Sequence, residues 1–371
     1  MHNAPSQDGG VESLPSGRQL LERPFHHNGG NCWTVSLDFS GDDPLDPARS
    51  PLVLFEDGVE LGPPHSSHGE IRMAGAGRYS HWESTLYFSA SDNSNPNENG
   101  RCYEIEYSRT RYFDYHADYA AGILGFYMSH LGANWDVLRG AEVLEIGPGR
   151  QLGPALLMAG LGAHVSCVEK YHRGWNPDWH PFLIEALLRL IRRRGWVIDE
   201  RPLILSLETA SFDQDAIQIL PYSIEDLPDS FRECWDISLS HSVLEHVQDA
   251  RIALRKLCNA MKKGAVGVHR IDFRDHRDFA DPLGFLLLDD ATFEEVTGSY
   301  KYTHGNRLRL RDQMIALAEA GFTRIEFLTE MTADPDYLAR FIPLLRASGS
   351  KFAQISEDDL RPLSGVFLLR K

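Results

Sequence analysis

The sequence predicts an α/β protein with a doubly wound, mostly parallel sheet, preceded by a small β-rich domain. From residue 141 to the end of the chain, apolar segments of strand length alternate with segments of helical periodicity, which is typical of parallel sheets. Residues 24–107 instead show short alternating apolar segments separated by Gly, Pro, Asn and Asp. The length of 371 residues is enough for two domains.

The first 108 residues divide into a leader and the β-rich domain. Residues 1–20 are rich in Ser, Gly, Pro and Asn and predict a disordered leader. Within 21–108, the segments CWTVSLDF, SPLVLFEDG, GEIRM and STLYFSA alternate apolar and polar residues and predict strands. The aromatic residues of this domain fit its core, with contact to a sugar ring as the alternative. They include Tyr79, Trp82, Tyr87 and Phe88.

Residues 109–371 form the predicted α/β domain, which opens with a helix over 112–132. Predicted strands occupy 141–147, 163–169, 216–221, 235–240, 264–272, 323–328 and 364–370. Predicted helices occupy 151–161, 180–194, 248–262 and 311–320. Ligands of open parallel sheets bind beyond the carboxyl ends of the strands, so functional residues are expected there.

Composition excludes several classes of function. The net charge of −16 and the pI near 5.4 argue against a nucleic-acid partner and against an anionic membrane surface. The five cysteines are scattered, which indicates neither a disulfide framework nor a zinc motif. The amino-terminal residues lack a signal-peptide pattern, and no apolar segment reaches the length of about 18 residues that a membrane helix needs. We therefore expect a cytoplasmic protein.

The segment AEVLEIGPGRQLG, residues 141–153, places a glycine turn after the first predicted strand of the α/β domain. Gly147 and Gly149 let the backbone approach a ligand closely, and the following helix offers unpaired amides. Glu169 ends the second strand, where a carboxylate can accept hydrogen bonds from both hydroxyls of a ribose. The spacing predicts a nucleoside site.

Two features distinguish the possible nucleosides. A dinucleotide fingerprint has a third glycine where this chain has Leu152, and Gly153 comes one residue late. Glu145 lies two residues before the first glycine, where it would repel a pyrophosphate and suit a cation. S-adenosylmethionine (SAM) carries a sulfonium and an ammonium group and no phosphate, so the charges favour SAM over NAD.

The segment VLEIGPG resembles motif I of the class I SAM-dependent methyltransferases. Three later segments resemble further motifs of that family in the same order: ILPYSIEDLP at 219–228, WDISLSHSVLEHV at 235–247 and LRKLCNAMKKGAVGV at 254–268. The resemblance covers about residues 135–275. It implies a seven-stranded, Rossmann-like methyltransferase sheet with SAM as its cofactor.

The resemblance also implies roles for cofactor-binding residues. Glu145 would hold the amino end of the methionine, Gly147 and Gly149 would lie under the ribose and methionine, and Glu169 would bind the ribose hydroxyls.

Further positions are implied near the adenine and the sulfonium. Ile224 would pack on the adenine, and Glu225 or Asp226 would accept a hydrogen bond from its exocyclic amine. Ser240 and His241 would line the floor of the site beside the sulfonium.

Catalysis of methyl transfer depends mainly on holding the acceptor in line with the methyl group, and a base is needed only for a protonated acceptor. His and Asp residues close together can serve as base and orienting group or bind a metal, but we expect no metal here. The alternative is a polar loop whose acids pair with neighbouring arginines, and His246 is expected to be structural. The catalytic candidates follow the fourth and fifth strands: His241, His269, Asp272, Asp275 and His276.

The sequence thus predicts a SAM-dependent methyltransferase acting on a small-molecule or glycan-like acceptor, with oxygen as the expected acceptor atom. The β-rich domain would hold or cap that acceptor. A non-catalytic adaptor that binds SAM and a sugar is one alternative, and an NAD-linked oxidoreductase is a weaker one. The oligomeric state stays open.

Overall fold

The computed structural model of the protein describes residues 17–42, 50–149, 151–171, 174–297 and 306–371. The chain divides into two compact units, residues 1–119 with 176–195 and residues 120–175 with 196–371. Residues 109–119 and 176–195, which the sequence analysis assigned to the α/β domain, therefore belong to the first unit. Most of the predicted leader, residues 1–16, lies outside the described residues.

The described residues form the following elements. The strands are β1 (Gln19–Leu20), β2 (His26–His27), β3 (Trp33–Ser36), β4 (Leu52–Glu56), β5 (Val59–Glu60), β6 (Tyr79–Trp82), β7 (Thr85–Phe88), β8 (Tyr103–Tyr107), β9 (Glu142–Ile146), β10 (His164–Val168), β11 (Ile217–Leu220), β12 (Trp235–His241), β13 (Met261–Asp272), β14 (Arg324–Thr332) and β15 (Pro362–Arg370). The α-helices are α1 (His68–Met73), α2 (Arg109–His130), α3 (Gly153–Gly160), α4 (His180–Arg194), α5 (Arg201–Thr209), α6 (Ala250–Ala260), α7 (Asp290–Thr297), α8 (Leu310–Ala320), α9 (Pro335–Ala347) and α10 (Glu357–Leu360). Short 3-10 helices lie at Trp135–Leu138 and Gly284–Leu287.

The described residues of the first unit form two antiparallel sheets, with strand orders β1-β8-β4-β5 and β2-β3-β7-β6. Tyr79 and Phe88 are buried in its core, whereas Trp82 and Tyr87 stay partly exposed. Strand β1 lies inside the stretch predicted as leader, where its pairing with β8 orders it.

The predicted strand GEIRM is wrong, because these residues form helix α1. Ser67 caps the helix by accepting a hydrogen bond from the Glu70 amide, and the Glu70 carboxylate accepts one from the Ser67 amide. This reciprocal capping box stabilises a helix start that outweighs the short apolar alternation.

In the described part of the second unit, seven strands form one sheet in the order β11-β10-β9-β12-β13-β15-β14. Neighbouring strands from β11 to β13 are parallel, and β15 is antiparallel to both β13 and β14. The predicted mostly parallel sheet is confirmed. Four of the helices in this unit, α5, α7, α9 and α10, were not predicted. The strand order reverses between β9 and β12, and the Rossmann principle places a ligand at the carboxyl ends of these strands.

Helix α3 follows the glycine turn after β9. All eight of its residues are buried, which holds the helix in place. A Cβ atom on Gly153 would lie 2.5 Å from the Cβ of Ala120, and one on Gly160 would lie 2.2 Å from Cγ2 of Ile198. The two glycines therefore allow close packing at both ends of α3, which holds the preceding glycine turn in place. Among the described helices, none combines the length and apolar content needed to cross a membrane.

Candidate cofactor and catalytic site

The glycine turn after β9 contains two residues in the left-handed region, Gly147 with φ +64° and Gly149 with φ +68°. A Cβ atom on Gly147 would lie 2.7 Å from Cγ2 of Val243. At Gly149 the same atom would meet no atom of the described residues within 4 Å. Gly147 is thus required by packing inside the protein, and Gly149 leaves space beside the turn for a ligand.

Glu145 lies on β9 and is 1% exposed. The Tyr127 hydroxyl hydrogen-bonds to its carboxylate, but Oε2 has no hydrogen-bond partner among the described residues. Burial raises the pKa of Glu145 to about 8, although the Tyr127 hydrogen bond acts in the opposite direction. A buried carboxylate with an unpaired oxygen gains free energy from a proton or from a bound cation.

Glu169 follows β10 and contacts the glycine turn directly. Its Oε2 accepts a hydrogen bond from the Gly149 amide at 3.2 Å, and its Oε1 accepts one from the Tyr171 amide at 3.0 Å. These amides fix the carboxylate while each oxygen keeps further acceptor capacity. Glu169 is therefore placed to accept two hydroxyl donors beside Gly149.

The predicted adenine contacts are only partly supported. Ile224 is 2% exposed and belongs to the hydrophobic core, so it offers no surface for a base. The Glu225 carboxylate accepts hydrogen bonds from the amides of Gln248 and Asp249, immediately before α6. Asp226 is exposed and accepts a hydrogen bond from the Ser223 hydroxyl at 2.7 Å. Ile224 thus packs into the core, Glu225 is partly exposed and binds the backbone before α6, and Asp226 is exposed, so the adenine contacts stay predictions.

His269 and Ser240 are buried and contact each other. His269 is 0% exposed, and its Nδ1 and Nε2 lie 2.9 and 3.0 Å from the hydroxyls of Ser240 and Ser238 on the neighbouring strand. Burial lowers the pKa of His269 to about 3. The His269 ring is thus enclosed among the strands, with Ser240 and Ser238 as its partners, and a catalytic role for it stays a prediction.

His241 stays a candidate base. It ends β12, is half-buried, and its ring lies 5.4 Å from that of Phe126. Burial lowers the pKa of His241 to about 4, and the positive charge of Arg270 acts in the same direction. The imidazole is therefore neutral at neutral pH and can accept a proton.

Asp272 and Asp275 pair with arginines, as the alternative reading of this loop predicted. Each carboxylate accepts bidentate hydrogen bonds from a guanidinium two residues later, Asp272 from Arg274 and Asp275 from Arg277. Burial alone would raise the pKa of Asp272, but nearby His276 and Arg274 outweigh it and hold that pKa well below its usual range. These contacts order the loop after β13, and a catalytic role for either acid stays a prediction.

Glu245, His246 and His276 come together in a cluster that the sequence analysis did not predict. One ligand atom of each residue lies within 4.8 Å of those of the other two. Burial raises the pKa of Glu245 to about 8 and lowers that of His246 to about 4. His276 was predicted as a catalytic residue and His246 as a structural one. The sequence signal for this cluster was the adjacent pair Glu245 and His246 shortly after β12.

Comparisons with known proteins give little beyond this geometry. No protein-family model matches the chain, and no curated protein matches it. Among solved structures, the chain is similar to a SAM-dependent methyltransferase from Mesorhizobium loti, at 13% identity over 63% of this chain and 92% of that chain, with a TM-score of 0.35. It is also similar to a SAM-dependent methyltransferase from Thermotoga maritima, at 16% identity over 71% of this chain and 97% of that chain, with a TM-score of 0.34. Both structures carry the name of the family that the motifs resemble. Identities and TM-scores this low do not show the function of this chain.

Proposed function

We propose that the protein binds SAM at the carboxyl ends of β9 and β10 and transfers its methyl group to an acceptor. The observation that carries this proposal is Glu145, a buried carboxylate with an unpaired oxygen just before the glycine turn. The ammonium group of SAM would supply the missing donor and the compensating charge. Glu169, held by the Gly149 amide, would bind the ribose hydroxyls.

The same residues disfavour NAD. Its pyrophosphate would sit at the start of α3, close in sequence to the acid at position 145, and would be repelled if that acid is ionised. The third glycine of the dinucleotide fingerprint is replaced by Leu152, which is buried and immediately precedes α3. An oxidoreductase would therefore have to bind its cofactor without the third glycine of the fingerprint.

The chemistry is an in-line displacement at the methyl carbon. The acceptor lone pair forms the new bond as the carbon–sulfur bond breaks, and the electrons of that bond stay on sulfur, which leaves as a neutral thioether. A hydroxyl acceptor also has to lose a proton, and half-buried His241, at the end of β12, is the candidate to take it. We propose a small-molecule or glycan-like acceptor that reacts at oxygen, because the acidic net charge disfavours a nucleic-acid acceptor.

Calorimetric titration with SAM, its demethylated product and NAD tests the cofactor. We expect micromolar binding of SAM and no binding of NAD. Glu169→Ala should weaken SAM binding by about tenfold or more, the scale of a lost hydrogen bond to a charged group. Glu142→Ala is the matched control, because Glu142 lies at the opposite end of β9. NAD binding with no response to SAM would overturn the proposal.

Turnover separates an enzyme from a SAM-binding adaptor. Release of the demethylated product is measured over a panel of sugars and phenolic acids. With a hydroxyl acceptor, His241→Ala should lower kcat by about 100-fold or more while SAM affinity is retained. Unchanged kcat in this variant would remove His241 as the base.

A further inference from the structure

We infer that Glu245, His246 and His276 form a binding site for a divalent transition-metal ion. The three residues come from two segments that follow neighbouring strands, β12 and β13. One ligand atom of each lies within 4.8 Å of those of the other two, a spacing at which small movements of the side chains would bring all three onto one ion.

Two atoms of this cluster lack the partners that buried polar atoms normally have. Glu245 is 8% exposed, and neither its Oε2 nor the buried Nε2 of His276 has a hydrogen-bond partner in the described parts of the chain. A buried polar atom without a partner destabilises a folded protein. A metal ion would bind both atoms at once and remove that destabilisation.

The backbone around Glu245 is held in place. The side-chain amide of Asn306 donates to the backbone carbonyl groups of Leu244 and Val247. The backbone amide of Asn306 donates to the backbone carbonyl group of Glu245. The other carboxylate oxygen of Glu245, Oε1, accepts a hydrogen bond from the Asp272 amide at 3.3 Å. The turn is thus preorganised with Oε1 engaged and Oε2 unpaired.

The His276 side has a carboxylate of its own. Oδ2 of Asp272 lies 3.7 Å from Nε2 of His276, and the guanidinium of Arg274 binds the same carboxylate. Asp272 therefore places a negative charge, held by Arg274, beside His276.

The donor set indicates the class of ion. Two imidazoles and one carboxylate suit Zn²⁺, Mn²⁺, Fe²⁺ and Co²⁺, whereas Mg²⁺ and Ca²⁺ prefer sites made of oxygen ligands. The cluster borders a cavity of about 40 Å³ whose wall also includes Phe285, Phe293 and Leu308. That volume holds a water-sized group, so a bound ion keeps an open position. On the proposed function this position would take the acceptor oxygen and lower its pKa; that role rests on methyl transfer, but metal binding itself does not.

Metal titration of the chelator-treated full-length protein tests the site. We expect one equivalent of Zn²⁺ to bind by calorimetry, Co²⁺ to give visible d–d absorption, and Mg²⁺ to stay silent at the same concentrations. Glu245→Gln and His276→Ala should each weaken Zn²⁺ binding by about 100-fold, since loss of even an outer-sphere partner costs about 10–100-fold. His164→Ala is the control, because this exposed histidine lies at the opposite edge of the sheet and pairs with Glu142.

The outcomes separate the two proposals. Glu245→Gln keeps the shape of the side chain, and retained SAM binding would show that the variant is folded. Zn²⁺ binding of equal strength in the wild type and both variants would overturn the site, as would no binding of Zn²⁺ and Co²⁺ or equal binding of Mg²⁺. Metal binding without SAM binding would leave the site standing and refute the proposed function.

Discussion

Glu145 and Glu245 are two buried carboxylates of the same unit that differ in their surroundings. Each is less than a tenth exposed, each has an Oε2 without a partner within the described ranges, and burial raises the pKa of each to about 8. Glu145 lies beside the Tyr127 hydroxyl and just before a glycine turn, whereas Glu245 lies beside two imidazoles. The same buried acid thus suits an organic ammonium group in one place and a metal ion in the other.

The largest expected effect is a crossover between the two acids. Glu245→Gln should weaken Zn²⁺ binding by about 100-fold and leave SAM affinity unchanged. Glu145→Gln should weaken SAM binding by about tenfold to 100-fold and leave Zn²⁺ affinity unchanged. Both variants are measured in both titrations. A single replacement that weakened both ligands equally would show that the two acids serve one site.

Stability against pH sharpens the account of Glu145. Its pKa is about 8 in the folded protein and near 4.5 in the unfolded chain, so the folded state binds the proton more tightly. The stabilisation that comes from this tighter proton binding is complete below about pH 4.5. The free energy of unfolding then falls as pH rises towards 8, by at most about 1.4 kcal/mol per pH unit. Urea unfolding of the ligand-free protein should show a shallower fall in Glu145→Gln. Identical pH dependence in both proteins would mean that Glu145 is already paired.

His269 provides the contrasting case of a buried titratable group with both ring nitrogens satisfied. His269→Ala leaves the hydroxyls of Ser238 and Ser240 without their partner and opens a cavity. We expect a loss of about 2 kcal/mol in the free energy of unfolding, with SAM and Zn²⁺ affinities unchanged. A selective loss of turnover at normal stability would place His269 among the catalytic residues.

The smallest expected effect compares the two glycines of the turn. Gly147→Ala places a methyl group against Val243 and also strains a positive φ, whereas Gly149→Ala meets only the backbone strain. We expect Gly147→Ala to be the less stable variant by about 1 kcal/mol in thermal unfolding. Equal stabilities would mean that Val243 moves aside without cost.

Periodicity and turn chemistry predicted the sheet well, because strand and helix patterns are local. They did not show how the side chains are enclosed. Alternation along β13 placed His269 and Arg270 on opposite faces, but it could not show that the His269 ring would be enclosed by Ser238 and Ser240. The surroundings of Ile224 could not be predicted for a similar reason, since an apolar residue after a strand packs equally well on a ligand or into the core.

The metal-ligand cluster depends on contacts between segments far apart in the sequence. Arg309 is 0% exposed, and its guanidinium donates to the carbonyl groups of Phe273, Leu360 and Pro362. These bonds help to hold the loop that carries His276. No local sequence pattern around His246 or His276 predicts these hydrogen bonds. The adjacent Glu245 and His246 alone could not show that His276 joins them.

The most direct test of the central claim is a crystal structure of the protein with SAM. The account predicts the methionine ammonium within hydrogen-bond distance of Oε2 of Glu145 and both ribose hydroxyls on Glu169. SAM bound elsewhere, or a crevice filled by side chains while Glu145 keeps its ligand-free contacts, would contradict it.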